Sequence, residues 1–222
     1  YPNQADKDGV SPLFIAAQQG YSEIARLLLA HPKIALNQAD QNGATPLFIA
    51  AQNGHSEIAR LLLNQKDINP NKALTTCATP LFIAAQKGHI EIVQLLLNQK
   101  DINPNQALTS DGRTPLLIAA QKGYTDIVQL LLAHEDIYPN QTRTLDDSTP
   151  LFIAAYQDHK DIFKALLAHP KIALNQADQD GATPLYIAAQ NGHSEIVRAL
   201  LAHPNFNPNQ ADEDGVSPLY IA

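Results

Sequence analysis

A short motif recurs along the chain at an almost constant spacing. The triplet Ser/Thr-Pro-Leu begins at Ser11, Thr45, Thr79, Thr114, Thr149, Thr183 and Ser217, at intervals of 34 or 35 residues. Longer segments return with it: QNGATPLFIAAQNGHSEIARLLLNQ at 41–65 reappears as QDGATPLYIAAQNGHSEIVRALLAH at 179–203. A period of this length is typical of arrays in which each repeat packs on the next. The 222-residue chain is therefore predicted to contain about six and a half repeats.

Each repeat predicts two short helices. The Thr45 hydroxyl can accept a hydrogen bond from the first helical turn, and Pro46 suits the first helical position because its φ is fixed and it has no N–H. Gly54 is suited to end that helix. The following segment HSEIARLLLN at 55–64 has acidic residues early and apolar residues at helical spacing, which indicates a second helix.

The predicted helices are too short to be stable alone, because isolated helices below about 12–15 residues are marginal in water. Stacking must supply the missing stability. Paired alanines in every first helix would let neighbouring hairpins approach closely and bury one continuous core. We therefore expect residues 1–222 to form a single all-α array.

The run DQNGATPLFIAAQNGHSEIARLLL resembles the ankyrin repeat, whose usual form reads D-x-x-G-x-T-P-L-H-x-A-A-x-x-G-H before a second apolar helix. The resemblance covers essentially the whole chain in seven in-register copies. It implies an ankyrin-repeat solenoid of helix-turn-helix hairpins with projecting β-turn loops. It also implies that turns and first helices line a concave groove that binds another protein.

The chain departs from the usual repeat at the position after Thr-Pro-Leu, where the family has histidine. That position holds Phe14, Phe48, Phe82, Leu117, Phe152, Tyr186 and Tyr220. We interpret this apolar series as packing, with a hydrophobic recognition strip as the alternative. The long segment LLLAHPKIALNQAD after the second helix is similar to repeats of eukaryotes and of intracellular bacteria that deliver such proteins into host cells. A host-directed effector is thus one expected context.

Both ends fall inside repeats, since Tyr1 is equivalent to Tyr138 and Ala222 to Ala16. Arrays usually finish in repeats with a polar outer face, and no such repeat is evident. The sequence is therefore expected to be an excerpt of a longer array.

Charge and cysteine content restrict the partners and the compartment. A net charge of −7 disfavours nucleic acid and anionic membranes, which repel an acidic surface. Cys77 has no second cysteine to pair with, which favours a reducing compartment. The chain shows neither a membrane-length apolar run nor a signal-peptide pattern. We expect a monomer in the cytosol, either of its own cell or of a host.

Candidate chemistry is sparse. All eight histidines have a place in the repeat: His55, His89, His159 and His193 after the glycine position, and His31, His134, His169 and His203 after the second helix. Ligands spread one to a hairpin do not converge on a metal. Cys77 has no base or orienting partner in sequence, and no phosphate-binding, acyl-transfer or zinc-protease motif occurs. We therefore predict that this protein has no catalytic residue, binds no metal or cofactor, and is not an enzyme.

Irregular turns indicate where a specific site could lie. The regular turns at 37–45 and 175–183 flank three unusual ones, NKALTTCAT, NQALTSDGRT and NQTRTLDDST. Four basic residues appear in or beside this central region: Lys87, Arg113, Lys122 and Arg143. They predict a basic contact patch for an acidic peptide or protein surface. Neutral variation in solvent-facing loops is the alternative, particularly because Asp111, Asp146 and Asp147 lie close by.

Tyr156 adds an aromatic candidate to the same region, at a position where the other first helices have glutamine. Aromatic residues beside arginines are typical of binding hot spots. We therefore expect a non-catalytic protein-binding module whose contacts include Tyr156. The alternative is a passive spacer or targeting arm of a larger enzyme, while the net charge makes a nucleic-acid binder the weakest of the three.

Overall fold

The structure, a computed structural model, describes residues 1–206 of the chain. The start of the seventh repeat, including Ser217, Tyr220 and Ala222, lies outside the described residues. Two compact units are present: unit one is Tyr1–Thr109, and unit two begins at Ser110. Each contributes three helical hairpins to the described range.

The described residues are all-α, as predicted. Unit one contains α1 Pro12–Gln19, α2 Ser22–Leu29, α3 Pro46–Asn53, α4 Ser56–Leu63, α5 Pro80–Lys87 and α6 Ile90–Leu97. Unit two contains α7 Pro115–Lys122, α8 Thr125–Leu132, α9 Pro150–Tyr156, α10 Lys160–Leu167, α11 Pro184–Gln190 and α12 Ser194–Leu201. Each helix has only 7 or 8 residues, so neighbours must stabilise it.

The first helix of each hairpin begins as the sequence predicts. In α3 the Thr45 hydroxyl accepts a hydrogen bond from the Phe48 amide at 3.2 Å, and Pro46 is the first helical residue. Gly54 ends α3 with φ at +78°. The second helices lack this side-chain cap. In α4, for example, Ser56 lies inside the helix, and His55 at the N-cap position makes no side-chain capping hydrogen bond.

Within each unit the helices form two layers. First helices pack in series as α1–α3–α5 and α7–α9–α11, and second helices as α2–α4–α6 and α8–α10–α12. Alanines such as Ala50 and Ala51 are completely buried between neighbouring first helices, which confirms that small side chains permit the close approach. Phe48 is 4% exposed and Leu117 fully buried, as the packing interpretation predicts, whereas Tyr186 at the same position of its repeat is half-buried.

Successive repeats are also joined by polar contacts. Asn37 donates its side-chain N–H to the Asp67 carbonyl at 2.8 Å and accepts from the Asn69 amide at 2.9 Å. The equivalent Asn140 in unit two binds the carbonyl of Lys171 and the amide of Ala173 in the same way. In each case the two hydrogen bonds from one asparagine side chain satisfy backbone groups in loops that lack regular structure.

Cys77 occupies a left-handed position in its turn, with φ at +62°, where the equivalent residue of the preceding turn is Gly43 at +87°. Because a Cβ is disfavoured in this conformation, Cys77→Gly is expected to stabilise the chain by about 0.5–1 kcal/mol, after the added unfolded-state entropy of glycine. Urea unfolding would measure the change. Gly43→Ala should shift the midpoint the opposite way, and a destabilising Cys77→Gly would contradict the strain argument.

Candidate partner-binding site

The five predicted contact residues lie in both units. Lys87 ends α5 in unit one, whereas Lys122 ends α7 and Tyr156 ends α9 in unit two. Arg113 and Arg143 precede α7 and α9, in the turns that lead into these helices. Lys87 and Lys122 are exposed, and in residues 1–206 neither has a carboxylate within ion-pair distance.

Arg113 pairs with a carboxylate of its own turn. Its Nε donates to Asp111 Oδ2 at 2.6 Å, and its backbone N–H donates to Asp111 Oδ1 at 3.1 Å. Asp111 is 9% exposed, so this ion pair is partly shielded from water. The Arg113 guanidinium is therefore held in one orientation, with both Nη groups left over from the pair.

Arg143 is held in the same manner by Asp146. Its Nε donates to Asp146 Oδ1 at 2.8 Å and its Nη2 to Asp146 Oδ2. The hydrogen bond from Arg143 holds the pKa of Asp146 below its usual value, assisted by Ser148 and opposed by partial burial. The same contact raises the pKa of Arg143.

Arg143→Gln is expected to lower the free energy of unfolding by about 1 kcal/mol near neutral pH, because Asp146 loses its charged donor. Since the folded-state pKa of Asp146 is depressed, the pair's contribution is present above the unfolded pKa of this carboxyl and is lost as pH falls through the folded value. The variant and the natural chain should thus converge in strong acid. A double-mutant cycle with Asp146→Asn, followed by urea unfolding, measures the coupling, and a coupling near zero would refute it.

The two turns are neighbours in unit two, because the Thr144 N–H donates to the Asp111 carbonyl at 2.9 Å. Asp111 therefore also lies near Arg143 and contributes to its raised pKa. Each arginine of the predicted basic cluster has a carboxylate partner inside its own turn. Among the described residues, the member of the cluster in unit two that has no carboxylate within ion-pair distance is Lys122.

Tyr156 is 53% exposed at the end of α9. Its backbone carbonyl accepts from His193 Nε2 at 3.2 Å, which ties this helix end to the following hairpin. Equivalent positions on the neighbouring first helices of unit two hold Gln121 and Gln190. An amphipathic ring on a fixed backbone is suited to contact a partner at low entropic cost.

Sequence reasoning missed Leu145, which is 60% exposed in the turn before α9. The available signal was the repeat length: this repeat has 35 residues, and the turn carries one more residue than the regular turn 175–183. The backbone pairing of Thr144 with Asp111 and of Gln179 with Asp146 leaves Leu145 as the additional residue.

Comparison with known protein families gives matches that together cover residues 1–212. A family described as ankyrin repeats matches in three copies, over residues 1–73, 69–143 and 138–212. The chain belongs to the ankyrin-repeat family. A search of curated proteins finds no match.

A solved structure with the same fold is the ankyrin repeat domain of Bcl-3, described as a unique member of the IkappaB protein family. The alignment has a TM-score of 0.86 with 21% sequence identity, and it covers 97% of this chain and 95% of the other. At this identity the likeness concerns the fold alone.

The histidines that follow the glycine position of the first helices form contacts between hairpins. His55 Nε2 lies 3.2 Å from the Gln18 carbonyl, and His159 Nδ1 lies 2.9 Å from the Ala120 carbonyl. Histidines after the second helices instead accept from the backbone, as His169 Nδ1 does from the Lys171 N–H at 3.3 Å. Burial, together with the charge of Lys171, lowers the pKa of His169. Among residues 1–206, no three His, Cys, Asp or Glu side chains are grouped so as to hold a metal ion.

The described ankyrin helices are also short in comparison with a lipid bilayer. No helix in the described part of the chain has the length and apolarity needed to span a membrane.

Proposed function

We propose that this ankyrin-repeat chain binds a partner protein, without catalysing a reaction, on the face that carries first helices and turns. The observation that carries the proposal is Tyr156, a half-exposed aromatic residue where neighbouring hairpins have glutamine. Lys122 lies exposed at the end of the adjacent helix α7. We call Tyr156, Lys122, Arg113 and Arg143 the unit-two patch; Lys87 is the corresponding contact in unit one.

The partner's contacting surface is proposed to be an acidic peptide or protein segment. Lys122 has no carboxylate within ion-pair distance in the described residues, although the whole chain has a net charge of −7. The two arginines add directional donors, since Asp111 occupies the Nε of Arg113 and leaves its Nη groups, while Asp146 leaves Nη1 of Arg143. Arginines oriented by carboxylates in this way can bind a second carboxylate with little loss of entropy.

The proposed cellular context follows from composition and from the repeat type. With one cysteine, the chain is suited to a reducing cytosol, of its own cell or of a host cell if it is a secreted bacterial effector. We propose that residues 1–222 act as one monomeric array, since the second family match, 69–143, runs across the boundary between the units.

A passive spacer or targeting arm of a larger enzyme is the second candidate. The ion pairs of Arg113 and Arg143 within their own turns favour it, because such pairs can exist to stabilise the turn alone. A spacer would tolerate substitution at Lys122 and Tyr156 without loss of any activity. A binding module would not.

Lys122→Glu is expected to slow association with the partner about five- to tenfold at low salt, because surface charges mainly steer encounter. The charge-matched pair is Lys122→Gln and Gln157→Glu, each of which lowers the net charge by one unit, the second at the equivalent exposed position of hairpin five. Surface-binding kinetics with a captured partner, at two salt concentrations, measure the association and dissociation rates separately. Equal slowing of association by these two variants would leave only net charge as the cause and would count against a specific contact at Lys122.

A further inference from the structure

A cavity lies in unit two where the second helices α10 and α12 end. Its volume is about 380 Å³, within the ~300–1,000 Å³ of typical small-molecule pockets. Its apolar walls include Leu167 and Ile172. Its polar lining includes Lys164, His169 and His203. Apolar walls with a few polar groups are typical of sites that bind small molecules, and no member of the unit-two patch lines this cavity.

The two histidines each have one ring N–H without a partner. His169 Nδ1 accepts from the Lys171 N–H, and His203 Nδ1 accepts from the Asn205 N–H, both at 3.3 Å. A backbone N–H can only donate, so each ring carries its hydrogen on Nε2. In residues 1–206 neither Nε2 has a hydrogen-bond partner. Two free donors are therefore present in the lining of the cavity.

Hairpins two and three use the equivalent position differently. It is occupied by Gln65 and Gln99, whose side-chain N–H groups donate to carbonyls of their own helices. The acceptors are Leu61 at 3.1 Å and Leu95 at 3.2 Å. A histidine at this position instead accepts from the amide two residues later, and its own donor is left over. Hairpins five and six thus supply free donors where glutamine supplies none.

The cavity also has an ammonium group that is not neutralised by an ion pair. In the described residues Lys164 has no carboxylate within ion-pair distance. Three cations act on the carboxylate of Glu195: Lys160, Lys164 and Arg198. Lys160 binds this carboxylate at 2.9 Å, so the ammonium of Lys164 stays available. Lys171, in the loop after α10, adds a further positive charge.

The helix ends oppose an anion only in part. The C-terminal end of a helix carries a partial charge of about −0.5, which repels anions. Two of the carbonyls concerned are occupied, because Leu166 accepts from the His169 N–H and Leu200 from the His203 N–H, each at 3.0 Å. The full charges of the two lysines exceed the partial charges of the two helix ends, so the cavity favours an anion.

We propose that this cavity binds a small monocarboxylate with an apolar chain. The Nε2–H groups of His169 and His203 and the ammonium of Lys164 donate to the carboxylate, while Leu167 and Ile172 contact the chain. Hydrogen bonds to an ionised group are about twice as strong as neutral ones. The proposal does not rest on the proposed protein binding, because the unit-two patch belongs to the first helices and turns.

Titration of the 222-residue chain with hexanoate, followed through the NMR signals of the Leu167 and Ile172 methyl groups, tests the proposal. Saturable shifts with a Kd below about 5 mM are expected for so small a ligand. Acetate has the carboxylate without the chain, and hexan-1-ol has the chain without the carboxylate. Both should bind at least about tenfold more weakly than hexanoate. No saturable shift with hexanoate, or equal affinity for either of the other two probes, would overturn the proposal.

Variants test the assigned donors. His169→Gln and His203→Gln introduce the residue of hairpins two and three, so both should fold, and each should weaken hexanoate binding about five- to tenfold. The control is His134→Gln, the same exchange in hairpin four outside the cavity lining, with an expected change of less than about twofold. Lys164→Gln, with the residue found at the equivalent positions of α6 and α8, should weaken binding about tenfold and decides the matter if a histidine variant does not fold. Equal effects at positions 134 and 169, or no effect of Lys164→Gln, would contradict the proposed site.

Discussion

Deletion of residues 45–78, one complete 34-residue repeat, is expected to leave a folded and shorter chain. The reason is that α3 packs mainly on its neighbours α1 and α5 in the first-helix layer of the described residues, and α4 mainly on α2 and α6 in the second. Equivalent residues recur one period later, so the new junction restores contacts of the same kind. Helical content per residue, measured by circular dichroism, should be unchanged, with a lower urea midpoint because fewer interfaces remain.

Deletion of residues 45–55 is the matched contrast, because it removes α3 but retains α4. The buried side chains of α4, including Ile58 and Leu62, would lose their packing partners. Large-to-small changes at single buried positions already cost about 2–5 kcal/mol, so removal of a whole helix is expected to unfold unit one. Wholesale unfolding after the complete-repeat deletion, or a stable fold after the partial one, would contradict the nearest-neighbour account.

Tyr156→Ala is expected to weaken partner binding about 30-fold or more, equivalent to about 2 kcal/mol, mainly through faster dissociation. An aromatic side chain that is 53% exposed in the free chain can be covered completely by a partner. Truncation leaves the backbone bond from His193 to the Tyr156 carbonyl in place, so the effect should not arise from unfolding. Calorimetry with the identified partner would give the affinity.

The matched control is Gln190→Ala, at the equivalent position of α11, which is exposed and polar. A change of less than about threefold is expected there, because exposed polar side chains at an interface rim contribute little. Tyr156→Phe distinguishes the contribution of the ring to affinity from that of the hydroxyl group. An affinity close to that of the natural chain would assign the contact to the ring. If Gln190→Ala weakened partner binding as much as Tyr156→Ala, the proposal that Tyr156 is an aromatic contact of hairpin five would be wrong.

Local rules accounted for the helices. Thr45 and Pro46 begin α3 and Gly54 ends it, because capping and glycine geometry depend on residues within one turn of each other. The burial of Phe48 also followed from the period, since residues at one register position meet the same environment in every hairpin.

The candidate site was less predictable because it depends on turn conformation. Sequence spacing put Arg143 near Asp146, but only the folded turn shows that the carboxylate binds two guanidinium nitrogens. The exposure of Leu145 required knowledge of which residue in a 35-residue repeat is the additional one.

Site-directed photo-crosslinking tests most directly whether the first-helix face of unit two binds a protein. A photoreactive phenylalanine analogue is placed at Tyr156 and, separately, at Gln129, an exposed residue of α8 in the second-helix layer. We expect one partner protein to be crosslinked from position 156 with a yield at least about tenfold that from position 129, and Tyr156→Ala to abolish its binding in solution at the same concentrations. Equal yields from the two positions, or crosslinking confined to position 129, would contradict the account.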